Sequence, residues 1–233
     1  MLSHGAATDG ATATHSRYPE LAGRFAVVAG ATGEMGLGIV RALAAQRVNI
    51  LLNSFDNPAE AERIRTGLSR EYGVAAACIP ADLRNPKAAS VLAMLAMNAF
   101  GHIDILVNDA GLWHPAPRET VPRELRDAAP AVSLSAAFHL TWIVIRGMRE
   151  QGWGRIINVA PSPLTATSAA AGPCLIELTR AAAAEGAGHG VTCNAICPTR
   201  VVTAEELGAF AVFLCSDAAA SVTGATFPMN GGR

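Results

Sequence analysis

Tyrosine and lysine are nearly missing from this chain: Tyr18, Tyr72 and Lys87 are the only examples in 233 residues. No tyrosine stands within a helical turn of a lysine, which excludes a phenol whose pKa is lowered by a lysine close in sequence. No apolar run approaches the length of a membrane span, so no membrane partner is expected. Blocks of like charge are missing as well, and the formal net charge is −1. That balance excludes nucleic acid and anionic membrane surfaces as expected partners. The five cysteines, Cys78, Cys174, Cys193, Cys197 and Cys215, are odd in number and show no paired CxxC spacing. They read as small core residues in a reducing compartment, not as a disulfide framework, and no metal site is expected. The first twenty residues, MLSHGAATDGATATHSRYPE, lack the basic start and apolar middle of a secretion signal. They read as a flexible tail on a cytoplasmic protein, with a single domain over 21–233.

What is present is organised around residues 25–45, FAVVAGATGEMGLGIVRALAA. A short apolar run breaks into a glycine-rich turn and continues as an amphipathic helix, a strand, phosphate loop and helix in succession. Gly30, Gly33 and Gly36 fall three apart. Such glycines allow a turn too tight for a Cβ, a backbone that lies against a pyrophosphate, and close packing of helix on strand. The helix start would offer free N–H groups and the positive end of its dipole to the phosphates.

The remainder alternates in the same manner. Val48–Asn53 is a near-continuous apolar run, as in a strand buried on both faces. A helix is expected over 58–71, a strand over 74–80, a helix over 86–100 and a strand over 103–108. A further helix follows Pro122, and a fifth strand spans 155–159. This alternation predicts an α/β fold, a single Rossmann-fold domain with a doubly wound parallel sheet of about seven strands. The second strand ends in Asn53-Ser54-Phe55-Asp56 with no Arg in the turn, which favours NAD(H) over NADP(H).

The glycine loop, Asp82-Leu83 and Asn108-Asp109-Ala110-Gly111 fall in the order and spacing of the short-chain dehydrogenase/reductase (SDR) family, which the chain resembles from Leu21 to its end. Within that family it is similar to bacterial 3-hydroxybutyrate dehydrogenases, through SAAFH (135–139), QGWGRIIN (151–158), GVTCNAICP (190–198), AVFLCSDAAA (211–220), VTG (222–224) and NGG (230–232). The resemblance implies cofactor contacts at Gly30, Thr32, Gly33, Met35 and Gly36 in the loop. It implies further contacts at Phe55, Asp82, Leu83, Asn108, Ala110, Gly111, Pro198, Val201 and Thr203. Glu34 stands where the usual short-chain loop has its middle glycine.

The resemblance also defines what is absent. The family's hydride transfer uses an asparagine, a serine and a Tyr-x-x-x-Lys pair. Here Ser133 stands at the asparagine position and Pro161 at the serine, with Ser162 beside it. Ser168 and Gly172 occupy the tyrosine and lysine positions, and the helix carrying them is expected to start only at Pro173. After Cys197-Pro198 the chain has Thr199 for the usual Gly and runs through Thr203 into Ala204-Glu205-Glu206-Leu207. Roughly thirty to forty residues of a substrate lid are missing, judged against typical domain lengths. Trp113 replaces a glutamine that holds substrate carboxylate in the closer relatives.

The expectation is a divergent family member that binds NAD(H) without the Asn-Ser-Tyr-Lys machinery, a regulatory or assembly homologue. It would form a homodimer or homotetramer through the Ala-rich helix at 173–185 and the chain end, possibly mixed with an active relative. The alternative is an active NAD-dependent oxidoreductase on a small hydroxy acid or ketone, using Ser162, Ser168 or His114 as a non-standard acid–base residue.

Overall fold

The computed structural model describes residues 18–55, 57–83, 85–109, 123–160, 166–198 and 202–231. The described residues begin at Tyr18, inside the stretch expected to be tail. A single 3-10 turn, Pro19–Leu21, buries Leu21 completely and leads into the first strand. Strands and helices then alternate: β1 (Phe25–Ala29), α1 (Glu34–Ala45), β2 (Asn49–Asn53), α2 (Pro58–Tyr72), β3 (Ala76–Ile79), α3 (Pro86–Phe100) and β4 (Ile105–Asn108). The second half follows as α4 (Arg123–Gln151), β5 (Gly154–Val159), α5 (Ala166–Gly186), β6 (Val191–Pro198), α6 (Ala204–Cys215) and β7 (Thr226–Met229).

The seven strands form one sheet in the order β3-β2-β1-β4-β5-β6-β7, and every pairing is parallel. The direction of winding reverses between β1 and β4, which opens a crevice at the carboxyl ends of these two strands. One core layer packs α1, α2 and α6 on the sheet, with Ile39, Leu43, Ile64, Leu68, Leu207 and Leu214 buried. The other packs α3, α4 and α5 through Leu92, Leu140, Ile145, Met148 and Ala182. The central strands are apolar on both faces because helices cover both, as a parallel sheet requires.

Local chemistry sets the helix starts. Asn57 accepts the Glu60 N–H at 3.0 Å ahead of Pro58, and Gly73 closes α2 in the left-handed conformation. Asn85 accepts the Lys87 N–H at 3.0 Å at the head of α3. Thr203 and Glu206 form a reciprocal capping box at the start of α6.

One expected boundary is corrected. α5 begins at Ala166, not at Pro173, which lies inside it. Proline removes one backbone hydrogen bond, but the alanines at 166 and 169–171 are strong helix formers and carry the helix through that gap. The third and fourth strands are also shorter than expected, starting at Ala76 and Ile105.

A glycine contact fixes α6 on α1. A Cβ at Gly38 would lie 2.3 Å from the Ala204 carbonyl oxygen, and one at Gly208 would lie 2.6 Å from the Gly38 carbonyl oxygen. The two backbones therefore touch, and α6 starts against the second turn of α1, behind the glycine loop. Only residues 199–203 separate β6 from α6.

Candidate dinucleotide site

β1 delivers the chain into the turn Gly30-Ala31-Thr32-Gly33, which closes with the Gly33 N–H donating to the Gly30 carbonyl at 3.2 Å. Gly30 has a φ of +84°, where a side chain is strained. A Cβ on Gly36 would lie 2.4 Å from the Gly30 oxygen, 2.8 Å from the Asp109 Oδ2 atom and 3.2 Å from the Ala31 Cα. Only glycine fits there. Gly33 precedes α1 and gives it no side-chain cap. The first turn of α1 thus keeps N–H groups with no intrahelical acceptor, at the positive end of the helix dipole. An uncapped helix start behind a turn that begins and ends on glycine is a cradle that fits a pyrophosphate. Glu34, the first residue of α1, is exposed, so its carboxylate stays hydrated.

The other expected contact residues divide by placement. Thr32 shares a 2.9 Å hydroxyl hydrogen bond with Ser54, which clasps the loop to the end of β2. Asn53, also at that end, is buried, and its amide donates to the Ile79 and Ala81 carbonyls, both at 3.1 Å. Its donors are thus committed to the neighbouring chain and not to a ribose. Phe55 beyond it is 46% exposed. Met35 and Leu83 pack against the two core layers, and Asp82 is half-buried after β3. Asn108 turns inward: its amide donates to the Thr141 hydroxyl at 3.2 Å and to Asn158 Oδ1 at 2.8 Å. Asn158 in turn reaches the Thr179 hydroxyl at 2.9 Å, so a buried polar chain ties β4 and β5 to α4 and α5. Pro198 ends β6 beside Met229, and Thr203 caps α6. Ala110, Gly111, Trp113, His114, Ser162, Thr199 and Val201 lie outside the described residues. Ser133 and Ser168 fall in α4 and α5, where the backbone alone is described.

Asp109 is the residue whose chemistry the sequence did not reveal. Its N–H donates to the Ala29 carbonyl at 3.0 Å, which sets it beside the end of β1. Its side chain runs under the glycine turn and accepts the Gly36 N–H. Burial pushes its pKa up to about 8, with the Gly36 N–H opposing the rise only in part. The signal available in the sequence was an acid where the family pattern has a second asparagine.

Both tyrosines sit away from this crevice. The Tyr18 N–H donates to Gln46 at 2.9 Å, at the end of α1, and Tyr72 ends α2, its carbonyl accepting from Arg47. Both lie at the amino-terminal edge of the sheet, opposite the glycine loop. Tyr72 is further disqualified as an acid–base group, since burial and the neighbouring Glu71 carboxylate push its pKa up. The thiols offer no nucleophile at the crevice either. Burial raises the pKa of Cys193 and Cys197, and it pushes Cys215 up to about 12. Cys174 is exposed, so the expectation of core cysteines fails at that position. Among the described residues no group of His, Cys, Asp and Glu is placed to hold a metal ion, and no helix is long and apolar enough to cross a membrane.

The model of the short chain dehydrogenase family matches residues 24–207. A D-beta-hydroxybutyrate dehydrogenase from Cupriavidus necator is 38% identical over 259 aligned positions, which take in 91% of this chain and 98% of the relative. A second such enzyme, from Rhizobium meliloti, is 34% identical over 90% of this chain and 98% of its own. Among solved structures, a protein of Sinorhizobium meliloti 1021 described as a short-chain alcohol dehydrogenase superposes with a TM-score of 0.79 at 28% identity, covering 91% of this chain and 96% of that one. The Cupriavidus alignment carries a structural message of its own. Since 91% of 233 residues is about 212, about 47 of its 259 positions have no counterpart here.

Proposed function

The chain belongs to the short-chain dehydrogenase/reductase family, and from that premise we propose that it binds NAD(H) at the glycine loop without catalysing hydride transfer. Its work would then be that of a cofactor-responsive regulatory or assembly partner. The observation that carries this reading is the placement of Tyr18 and Tyr72 at the edge of the sheet opposite the loop. A secondary alcohol cannot lose its proton at the hydride-transfer site without an acid–base group there. The short connection supports the same reading: residues 199–203 leave no length for a lid helix that would exclude water from a small substrate. The β2 end supports NAD(H) over NADP(H), because Ser54, Phe55 and Asn57 offer no cation for a 2′-phosphate. A homodimer or homotetramer, alone or mixed with an active relative, is part of the proposal. The groove between α4 and α5, lined by Leu134, Phe138, Trp142, Cys174 and Leu178, gives it an apolar face, with Phe138 48% exposed.

The second reading, an active oxidoreductase on a small hydroxy acid or ketone, is favoured by the names of the relatives, which are dehydrogenases. It requires Ser162, Ser168 or His114 to serve as the acid–base group. Calorimetric titration with NAD, NADH, NADP and NADPH, beside an absorbance assay with 3-hydroxybutyrate and acetoacetate, separates the two. Binding of NADH without turnover is expected. Steady turnover that is lost on Ser162→Ala, Ser168→Ala or His114→Ala would replace the first reading by the second.

A further inference from the structure

We infer that dinucleotide binding by this protein is linked to a proton on Asp109: the loop holds a pyrophosphate while that carboxyl is neutral and releases it when the carboxyl ionises. The inference rests on the proposed dinucleotide site and adds a regulator to it.

The geometry comes first. Asp109 follows β4 at the winding reversal, and its Oδ2 atom lies 2.8 Å from the point where a side chain on residue 36 would begin. The Gly30 carbonyl oxygen lies 2.4 Å from the same point. The carboxyl thus sits directly beneath the turn, against the first residues of α1, with the Gly36 N–H as its donor. A neutral carboxylic acid has one acceptor oxygen and one O–H to donate, much as an asparagine amide has an oxygen and an N–H. In that form Asp109 does the work of the asparagine found in the family pattern.

Among the described residues no cation balances its ionised form. β1 and β4 carry no charged residue, and the glycine turn carries none. α1 contributes Glu34, exposed at its start, and Arg41 in its third turn; β5 contributes Arg155, whose guanidinium is bound to Gly154, Gly190, Cys215 and Asp217 at the far edge of the sheet. Among the described residues only burial and the Gly36 N–H act on the Asp109 carboxyl. The acid therefore carries its proton at neutral pH. A pyrophosphate held on the other side of the turn would oppose ionisation further, since like charges close together in a water-poor site cannot both persist. By reciprocity, ionised Asp109 weakens the pyrophosphate. An asparagine at this position has no such switch.

The test is NADH titration by calorimetry between about pH 6 and about pH 10, on the natural chain and on Asp109→Asn. Above about pH 8 the dissociation constant of the natural chain should rise toward tenfold per pH unit, while that of Asp109→Asn stays flat. Near pH 8, titrations in two buffers of different ionisation enthalpy should show proton uptake on binding, a readout that needs no variant. A flat profile with tight NADH binding and no proton uptake overturns the proton link and leaves the dinucleotide reading standing. Failure of the natural chain to bind NADH at any pH overturns both. Urea unfolding without cofactor gives an independent check: relative to Asp109→Asn, the natural chain should lose stability as pH rises from about 4 to about 8 and level off above. The sign follows from the folded form holding a proton that the unfolded chain has released in that window. Parallel stability curves for the two proteins would contradict the buried neutral acid itself.

Discussion

The two halves of this molecule differ in what they assemble. From β1 to β4, the turn, the uncapped start of α1 and the clasp between Thr32 and Ser54 assemble a phosphate cradle in which one Cβ at residue 36 has no room. From α4 to β7 the sheet continues with equal regularity, yet the chain's two tyrosines are elsewhere and only five residues join β6 to α6. Packing in the second half is intact: the Asn108–Asn158–Thr179 chain is hydrogen-bonded and the capping box on α6 is complete. On the proposed reading, folding and chemistry are separable here. A Rossmann sheet needs its apolar strands and close-packed helices, whereas hydride transfer needs a few side chains that folding does not require.

Mutations in the first half should therefore act on ligand and fold together. The largest effect is expected for Gly36→Ala. Its methyl would press on the Gly30 oxygen at 2.4 Å and the Asp109 carboxyl at 2.8 Å, so the turn must open. Overpacking of this kind costs about 1–3 kcal/mol, and NADH affinity should fall below detection in the same calorimeter. Gly67→Ala, in the interior of α2 with nothing within 4 Å of the added methyl, is the control and should raise stability by about 0.5–1 kcal/mol in urea unfolding.

The next effect falls on the seam between the halves. Gly208→Ala would drive a methyl to 2.6 Å from the Gly38 oxygen and 2.9 Å from the Ala42 side chain. A loss of about 1–3 kcal/mol is expected, with NADH affinity reduced only as far as α1 shifts. Equal loss of binding and of stability would mean that the cradle depends on α6 as much as on its own glycines. Thr203→Ala removes one half of the capping box and should cost about 1 kcal/mol, read by thermal or urea unfolding.

The smallest effect is predicted where an active enzyme would show the largest. Ser162→Ala, Ser168→Ala and His114→Ala should leave NADH affinity within about twofold, a change worth under 0.5 kcal/mol. A larger shift at any of them would place that residue against the cofactor and narrow the contrast between the halves.

Much of this contrast is legible in the sequence, because it depends on local signals. The strand, glycine turn and helix at residues 25–45 announce themselves by spacing, and Pro58 and Pro86 each mark a first helical turn that an asparagine caps. The strand count follows from the alternation of apolar runs. What stayed hidden is tertiary. The pairing of Gly38 with Gly208 joins residues far apart in the chain, and nothing in either segment names the other. Asn53 reads as a free amide at a strand end until β3 is placed beside it. The rise in the Asp109 pKa comes from burial beneath a turn formed by residues 30–36, which no window around position 109 contains. Pro173 reads as the start of α5, yet the alanines before it outweigh one lost hydrogen bond and carry the helix back to Ala166.

The central claim is that the dinucleotide is held and its hydride is not used. Its most direct test is a single sample: NADH is added until its fluorescence change saturates, excess acetoacetate follows, and NADH is monitored over hours beside a protein-free control. Saturable binding with NADH consumed no faster than in the control is the predicted result. Saturable binding followed by protein-dependent loss of NADH, with 3-hydroxybutyrate formed in equal amount, would contradict the account and place a working acid–base group in the second half of the chain.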